Sequence, residues 1–369
     1  VGDPIRILQV VVNMNRGGAE TLLMNLYRNM DRSKVQFDFL TNKPGVFDAE
    51  IEEMGGRIHR IPYVSDIGHT KYMQALEQFF ETHPQYQIVH AHMDKMSGFV
   101  LRAAKKAGAP VRIAHSHNTS SEGGVAARAY KWVAGTFISS CATHFVACSN
   151  KAAKWLFANK VNKAMILKNG IESEKFAFSP EVREQVRQEL GLSSESYVLG
   201  HVGRFAHQKN HSFLIDIFAQ LHQEKPNAVL ILAGDGPLRA EIEKKVEALH
   251  IQDKVKFLGV RSDITRLLQA FDMFVFPSLH EGLPVTLIEA QGAGLPCLIS
   301  DEITQEVDMG IQLVERISLE NKSVWIERIN SVIARNLPRH IPSFSLSNNG
   351  YDIKNSASWT EGFYLGVLR

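Results

Sequence analysis

The stretch MFVFPSLHEGLPVTLIEAQGAGLPCLIS (273–300) holds one complete repeat of the architecture. Its ends, MFVFPS (273–278) and PCLIS (296–300), are apolar runs of strand length, and helical periodicity lies between them. Continuous apolar strands joined through a helix pair in parallel, with both faces covered. Working outward, the same pattern precedes it in YVLGHVGR (197–204), AVLILAG (228–234) and KVKFLG (254–259). The first half repeats it in IRILQVVV (5–12), FDFL (37–40), RIHRIP (57–62), QIVHAH (87–92), VRIAHSH (111–117), THFVACS (143–149) and KAMILKN (163–169). The prediction is an α/β chain of two Rossmann-like, doubly wound parallel-sheet domains facing a central cleft. The first covers 1–170, a polar linker 171–195, and the second domain 196–345. Alternation is lost after Pro338, and the tail 346–369 ends in SASWTEGFYLGVLR, a last helix expected to pack back toward the first domain.

A length of 369 residues suits two domains, and 44% hydrophobic with 22% charged residues excludes a disordered chain or a coiled coil. The net charge of +2 gives no sign of a nucleic-acid binder, but it conceals a division. Residues 1–170 carry 21 Lys+Arg against 13 Asp+Glu, and the remainder 20 against 26, so the halves have opposite sign. Cys141, Cys148 and Cys297 are too few and unpatterned for a disulfide framework or a zinc site. The N-terminal VGDPIRILQVVV lacks a basic leader and cleavage pattern, and no apolar run approaches a spanning helix. The expectation is a soluble, cytoplasmic protein.

Ligands of such sheets bind beyond the carboxyl ends of the strands, so chemistry is sought in the loops there. After MFVFPS, Gly282 permits a tight turn and Pro284 suits the first turn of a helix. The amides of Gly282, Leu283, Val285 and Thr286 are then expected at a helix N-terminus, a seat for phosphate. Glu281 stands before that helix and Glu289 two turns in, both suited to vicinal hydroxyls of a sugar or ribose, or else a cap and a solvated side chain. Arg204 and Lys209 follow the strand 197–204, where two cations are what a departing diphosphate requires. On that reading Arg204→Ala and Lys209→Ala cost turnover far more than folding. Gly17 and Gly18 allow close backbone approach or form a plain turn, with Glu20 complementing a helix dipole. His90 and His92, like His115 and His117, share one face at the ends of neighbouring strands. Without nearby carboxylates they only hint at a metal, and none is expected.

The spacing Glu281-x7-Glu289 in EGLPVTLIEA resembles the signature of the retaining, nucleotide-sugar-dependent glycosyltransferases of family 4, which have the GT-B fold. Within that family the chain is similar to enzymes of bacterial exopolysaccharide and cell-surface polysaccharide synthesis. The landmarks GGAE (17–20), HSHN (115–118), NGI (169–171), GRFAHQKN (203–210) and GDGP (234–237) occur in the family's order. The resemblance implies a first domain for the acceptor and a second for the nucleotide-sugar donor, with a UDP-sugar expected. It places His117 beside the transferred sugar, and Arg204 and Lys209, with neighbouring Gly203, on the donor diphosphate. Glu281 is placed on the sugar and Glu289 on ribose, while Gly17, Gly18, Gly234, Val260, Gly282, Leu283, Pro284 and Val285 border the donor. His90, His92 and His115 are left as structural or acceptor-side residues.

No carboxylate in the first domain stands out as a nucleophile, so same-face substitution without a metal or other cofactor is expected, insensitive to EDTA. Between Glu122 and Glu172 no acidic residue occurs, while Arg128, Lys131, Lys151, Lys154, Lys160, Lys163 and Lys168 interleave with Trp132, Trp155, Leu156 and Phe157. This is either a solvated basic face over core aromatics or a seat on an anionic membrane, with a lipid-linked acceptor. The segment ITQEVDMGIQLVERISLE (303–320) departs from the family in lacking its glycine pair and glycine-rich strand. The alternatives are a sugar-nucleotide epimerase of the same fold and a catalytically silent partner subunit. A dehydrogenase is excluded, since no G-x-G-x-x-G follows either domain's first strand.

Overall fold

Apolar runs that alternation marked as doubly covered become two wholly parallel sheets in the computed structural model, which describes residues 3–335, 339 and 350–368. The chain divides into two compact units, Val1–Gly170 with Gly350–Arg369, and Ile171–Asn349. The boundary expected at 345/346 lies outside the described residues, as does Pro338.

The first unit contains β1 (Ile5–Val10), β2 (Val35–Thr41), β3 (Ile58–Arg60), β4 (Ile88–Ala91), β5 (Val111–Ser116), β6 (His144–Ala147) and β7 (Ala164–Ile166). They lie in the order β3-β2-β1-β4-β5-β6-β7. The direction of winding therefore reverses between β1 and β4, which pair in register with Gln9 beside His90. On one face the core joins Ile7 of β1 to Leu22, Leu23, Leu26 and Tyr27 of the helix Gly18–Asn29. The same cluster takes in Ile353, Ala357 and Tyr364 of the C-terminal helix Ile353–Gly366, which thus belongs to this unit. Asp352 caps that helix, its carboxylate accepting from the amides of Lys354 and Asn355.

The second unit contains β8 (Tyr197–Val202), β9 (Ala228–Ala233), β10 (Val255–Gly259), β11 (Met273–Phe276), β12 (Cys297–Ser300) and β13 (Val314–Ile317). Their order is β10-β9-β8-β11-β12-β13, with the reversal between β8 and β11. Phe218, Leu230, Met273 and Trp325 are among the side chains that fill its core.

Two sequence expectations need correction. Residues 171–195 are not a bare linker, since they carry the helices Ser173–Phe176 and Pro180–Glu189 within the second unit. The signal was present as Ser179, whose hydroxyl accepts from the Val182 amide, followed by Pro180 in the first turn. Arg183 and Arg187 then bind Asp272 and the carbonyls of 269–271, fixing the helix to the unit. Strand β13, within the segment that departs from the family pattern, went unpredicted because only Ile317 of its four residues is buried. Cys141, Cys148 and Cys297 are buried and in no disulfide. Among the described residues no helix is long and apolar enough to cross a membrane.

Candidate active site

In each unit the chemistry-bearing residues lie at the carboxyl ends of strands at or next to the reversal and in the loops that follow, where a crevice opens in doubly wound sheets. In the second unit these loops follow β8 and β11. The β8 loop runs from Gly203 through Arg204 to a single turn, His207–Lys209. The β11 loop carries Glu281 and Gly282 to the helix Val285–Gly292.

Lys209 and Glu281, 72 residues apart in sequence, meet there: Lys209 Nζ donates to Glu281 Oε1 at 2.7 Å. Their side chains are 15% and 8% exposed, and the ammonium also lies 4.6 Å from the Phe276 ring centre. The two thus form a buried pair, and Lys209→Ala removes a buried positive charge from beside a carboxylate, which adds a folding cost to the expected loss of turnover. Arg204 is exposed and makes no ion pair with a described residue. Pro284 is the residue before the helix, one position earlier than expected. Glu289, one turn into that helix, is partly exposed but so surrounded by protein that desolvation pushes its carboxyl up to about 7. Val260, on the loop after β10, is exposed.

The glycines have distinct reasons. Gly234 has φ +139°, and a β-carbon there would stand 2.0 Å from the Gly203 carbonyl oxygen. Its immediate purpose is therefore contact between the β8 and β9 loops, and a nucleotide is not required to explain it. Gly17 precedes the helix Gly18–Asn29, and a β-carbon on it would meet the Glu20 carboxylate. Space is open around Gly18.

The first unit's site centres on four imidazoles. His90, His92, His115 and His117 cluster, the neighbouring ring centres lying between 4.0 and 5.2 Å apart. Strand alternation put each pair on one face, and β4–β5 pairing brought the faces together. Burial drives His90, His92 and His115 well below the usual histidine range and His117 down to about 3, so all four are neutral at pH 7. His92 Nδ1 lies 2.8 Å from His117 Nε2, and His92 Nε2 lies 2.8 Å from Gln9 Oε1. Tyr364 of the C-terminal helix bonds both Gln9 and His90. One ring nitrogen from each of His90, His92 and His115 lies within 4.8 Å of the other two.

Sequence reasoning missed Gln9, Asp94 and Tyr364. Asp94, at φ +48°, accepts from the His117 amide and the Asn118 side chain. Burial raises its carboxyl to about 6. Burial raises Glu20 to about 7, with the Asp94 charge contributing, which places the two acids near each other. Gln9 had a legible signal: a polar residue, here fully buried, inside an apolar central strand.

The basic stretch combines core aromatics with exposed apolar side chains. Phe157 is buried, and Trp155 lies beneath Lys95, whose Nζ is 5.4 Å from the ring centre. The helix Val125–Thr136, however, buries only Ala134 and exposes Val125, Trp132 and Val133.

Two family models match the chain: a glycosyl transferase 4-like domain over residues 17–170 and glycosyl transferases group 1 over residues 182–341. The chain is 42% identical over 365 residues to the putative glycosyltransferase EpsF of Bacillus subtilis (strain 168), covering 95% of this chain and 94% of that protein. It is 26% identical over 377 residues to the capsular polysaccharide biosynthesis glycosyltransferase CapH of Staphylococcus aureus, covering 98% and 99%. Anabaena Alr3699/HepE, solved in complex with UDP and glucose, shares the fold at TM-score 0.81 and 20% identity over 98% of this chain and 99% of that one.

Proposed function

The chain belongs to the group 1 glycosyl transferases and has the GT-B fold, and from that premise we propose that it moves a hexose from a UDP-sugar to a glycan or lipid-linked acceptor in surface polysaccharide synthesis, with retention at the anomeric carbon. The observation that carries this reading is the grouping of Arg204, Lys209 and Glu281 on the loops after β8 and β11. The name of CapH supports the polysaccharide context, that of EpsF the transferase activity, and the UDP bound to HepE supports the nucleotide.

In this scheme Arg204 and Lys209 hold the diphosphate, and Glu281, released from Lys209 as the anion arrives, takes sugar hydroxyls. Glu289 receives the ribose, with Gly203, Gly234, Val260 and the Gly282–Val285 turn around the nucleotide. Gly17, Gly18 and His117 border the sugar. The bond from sugar C1 to the diphosphate breaks as the acceptor oxygen bonds C1 on the same face, and the acceptor's proton passes to the departing diphosphate. The protein supplies position and charge stabilisation, and no metal or cofactor takes part.

The exposed apolar residues of the helix Val125–Thr136, which also carries Arg128 and Lys131, support peripheral contact with the anionic inner face of the cell membrane. A thermal-shift screen against UDP-, GDP- and ADP-sugars, followed by a transfer assay with and without EDTA, tests the donor and the metal independence. A shift with no sugar nucleotide refutes the function, and activity abolished by EDTA refutes the metal-free chemistry. Sedimentation with anionic vesicles at low salt tests the membrane contact, which is excluded if the protein stays in solution.

A further inference from the structure

Within the first unit, five side chains from β1, the C-terminal helix and the ends of β4 and β5 form one hydrogen-bonded chain. We propose that Tyr364, Gln9 and His92 are positioning residues that fix the tautomer of His117, leaving its Nε2 protonated and its Nδ1 an acceptor for a substrate hydroxyl.

The donors and acceptors of these groups, with the rings neutral, set the direction of each bond. The Gln9 amide nitrogen donates to the Tyr364 hydroxyl at 3.1 Å, so the Gln9 carbonyl faces His92. A carbonyl only accepts, hence His92 Nε2 carries the hydrogen. His92 is buried among three other imidazoles and neutral, so its Nδ1 holds a lone pair. His117 Nε2, 2.8 Å away, must then be the donor. His117 in turn is neutral, which leaves Nδ1 bare. That atom is buried without a partner among the described residues.

Direction enters through Gln9. Turned over, its amide would donate to His92 and reverse every bond, making His117 Nδ1 a donor. Tyr364 ties the amide to His90: its hydroxyl receives the Gln9 hydrogen and lies 2.7 Å from His90 Nδ1, so a His90 that carries its hydrogen on Nε2 takes the hydroxyl hydrogen and holds this direction. Only the hydroxyl of Tyr364 takes part, and its ring packs edge-on to Phe37 at 5.9 Å. A segment 355 residues from Gln9 in sequence therefore determines what the site offers to substrate.

The inference rests on the reading of His117 at the transferred sugar, but its first readout does not. Nitrogen-15 NMR of histidine-labelled protein without substrate, assigned with His117→Gln, reports which ring nitrogen carries hydrogen. The expected result is a protonated Nε2 and a bare Nδ1, and a protonated Nδ1 overturns the proposal. Tyr364→Phe keeps the packing and frees the amide, so His117 should become a mixture of tautomers. Turnover in that variant with the sugar nucleotide found by the screen should fall about tenfold, the worth of one hydrogen bond, with KM nearly unchanged. Gln9→Glu, measured at a pH where its carboxylate is ionised, only accepts and should keep the wild-type tautomer. An unaltered tautomer in Tyr364→Phe also overturns the proposal. The expected tautomer shift in a protein that transfers no sugar would instead discard the functional reading and leave the network standing.

Discussion

Replacing Lys209 by methionine keeps a stem over Phe276 and deletes the ammonium that lies 2.7 Å from Glu281. Removing one partner of a buried pair costs about 3–5 kcal/mol. With Lys209 15% exposed, the lower end applies, about 3 kcal/mol. For a body the size of Ile171–Asn349, each kcal/mol lowers the melting temperature by about 2–4 °C. Lys209→Met should therefore lower the second unit's transition by about 6–12 °C. Glu281→Gln retains an oxygen acceptor for Lys209 and should cost less, and the double variant removes both charges and should recover most of the loss.

Differential scanning calorimetry of the four proteins measures the coupling directly. A Lys209→Met transition within about 1 °C of wild type would mean the pair is screened like a surface ion pair, and the burial argument fails. Transfer assays add an independent readout, since the double variant should be stable yet inactive. A stable and active double variant would remove both residues from the proposed chemistry.

The exposed Arg204 should behave oppositely: Arg204→Ala leaves the transition within about 0.5 kcal/mol of wild type and lowers turnover by about 100-fold or more, measured by melting and initial rates. Gly234→Ala should destabilise the second unit, because its φ of +139° and the Gly203 carbonyl both oppose a β-carbon, while Gly18→Ala should melt as wild type. Acid should destabilise the first unit. His90, His92 and His115 stay neutral when folded, and their unfolded rings take a proton near pH 6.5. Their depressed folded pKa values give stability that is complete above that pH and is lost below it, about 1 kcal/mol per ring between pH 7 and 5.5. Glu20 and Asp94, raised to about 7 and about 6, act in the opposite direction, so their protonation returns roughly 2 kcal/mol over the same interval. A net fall in melting temperature on acidification is expected, and an equal or higher value at pH 5.5 would contradict it.

Strands were legible because a parallel strand covered on both faces must be apolar along its length, as Ala228–Ala233 is, buried at every position. The same logic explains why β13 was not, as three of its four residues remain partly exposed at a sheet edge. The candidate site was legible by position, since Arg204, Glu281, His92 and His117 all follow strands. Partnership was not legible. Periodicity encodes which face and what depth a side chain occupies, but Lys209 with Glu281 and Gln9 with Tyr364 are joined by sheet order and helix docking.

Comparison with the first unit's own buried ion pair shows what position adds. Asp38, fully buried in β2, accepts from Arg6 through both oxygens, from the Arg57 amide and from the Tyr86 hydroxyl. Both of its oxygens are thus engaged by groups of the unit itself, and Arg6 enters from the amino end of β1, opposite to the ligand-binding ends. Its chemistry is complete without a ligand. Lys209 and Glu281 instead meet at the carboxyl end of their sheet, on the same loop as an exposed arginine. A diphosphate can compete for that ammonium because it brings two charges where Glu281 brings one. Burial and ion pairing alone would rank Asp38 above Glu281 as a functional residue, and the end of the strand at which each pair sits reverses that ranking.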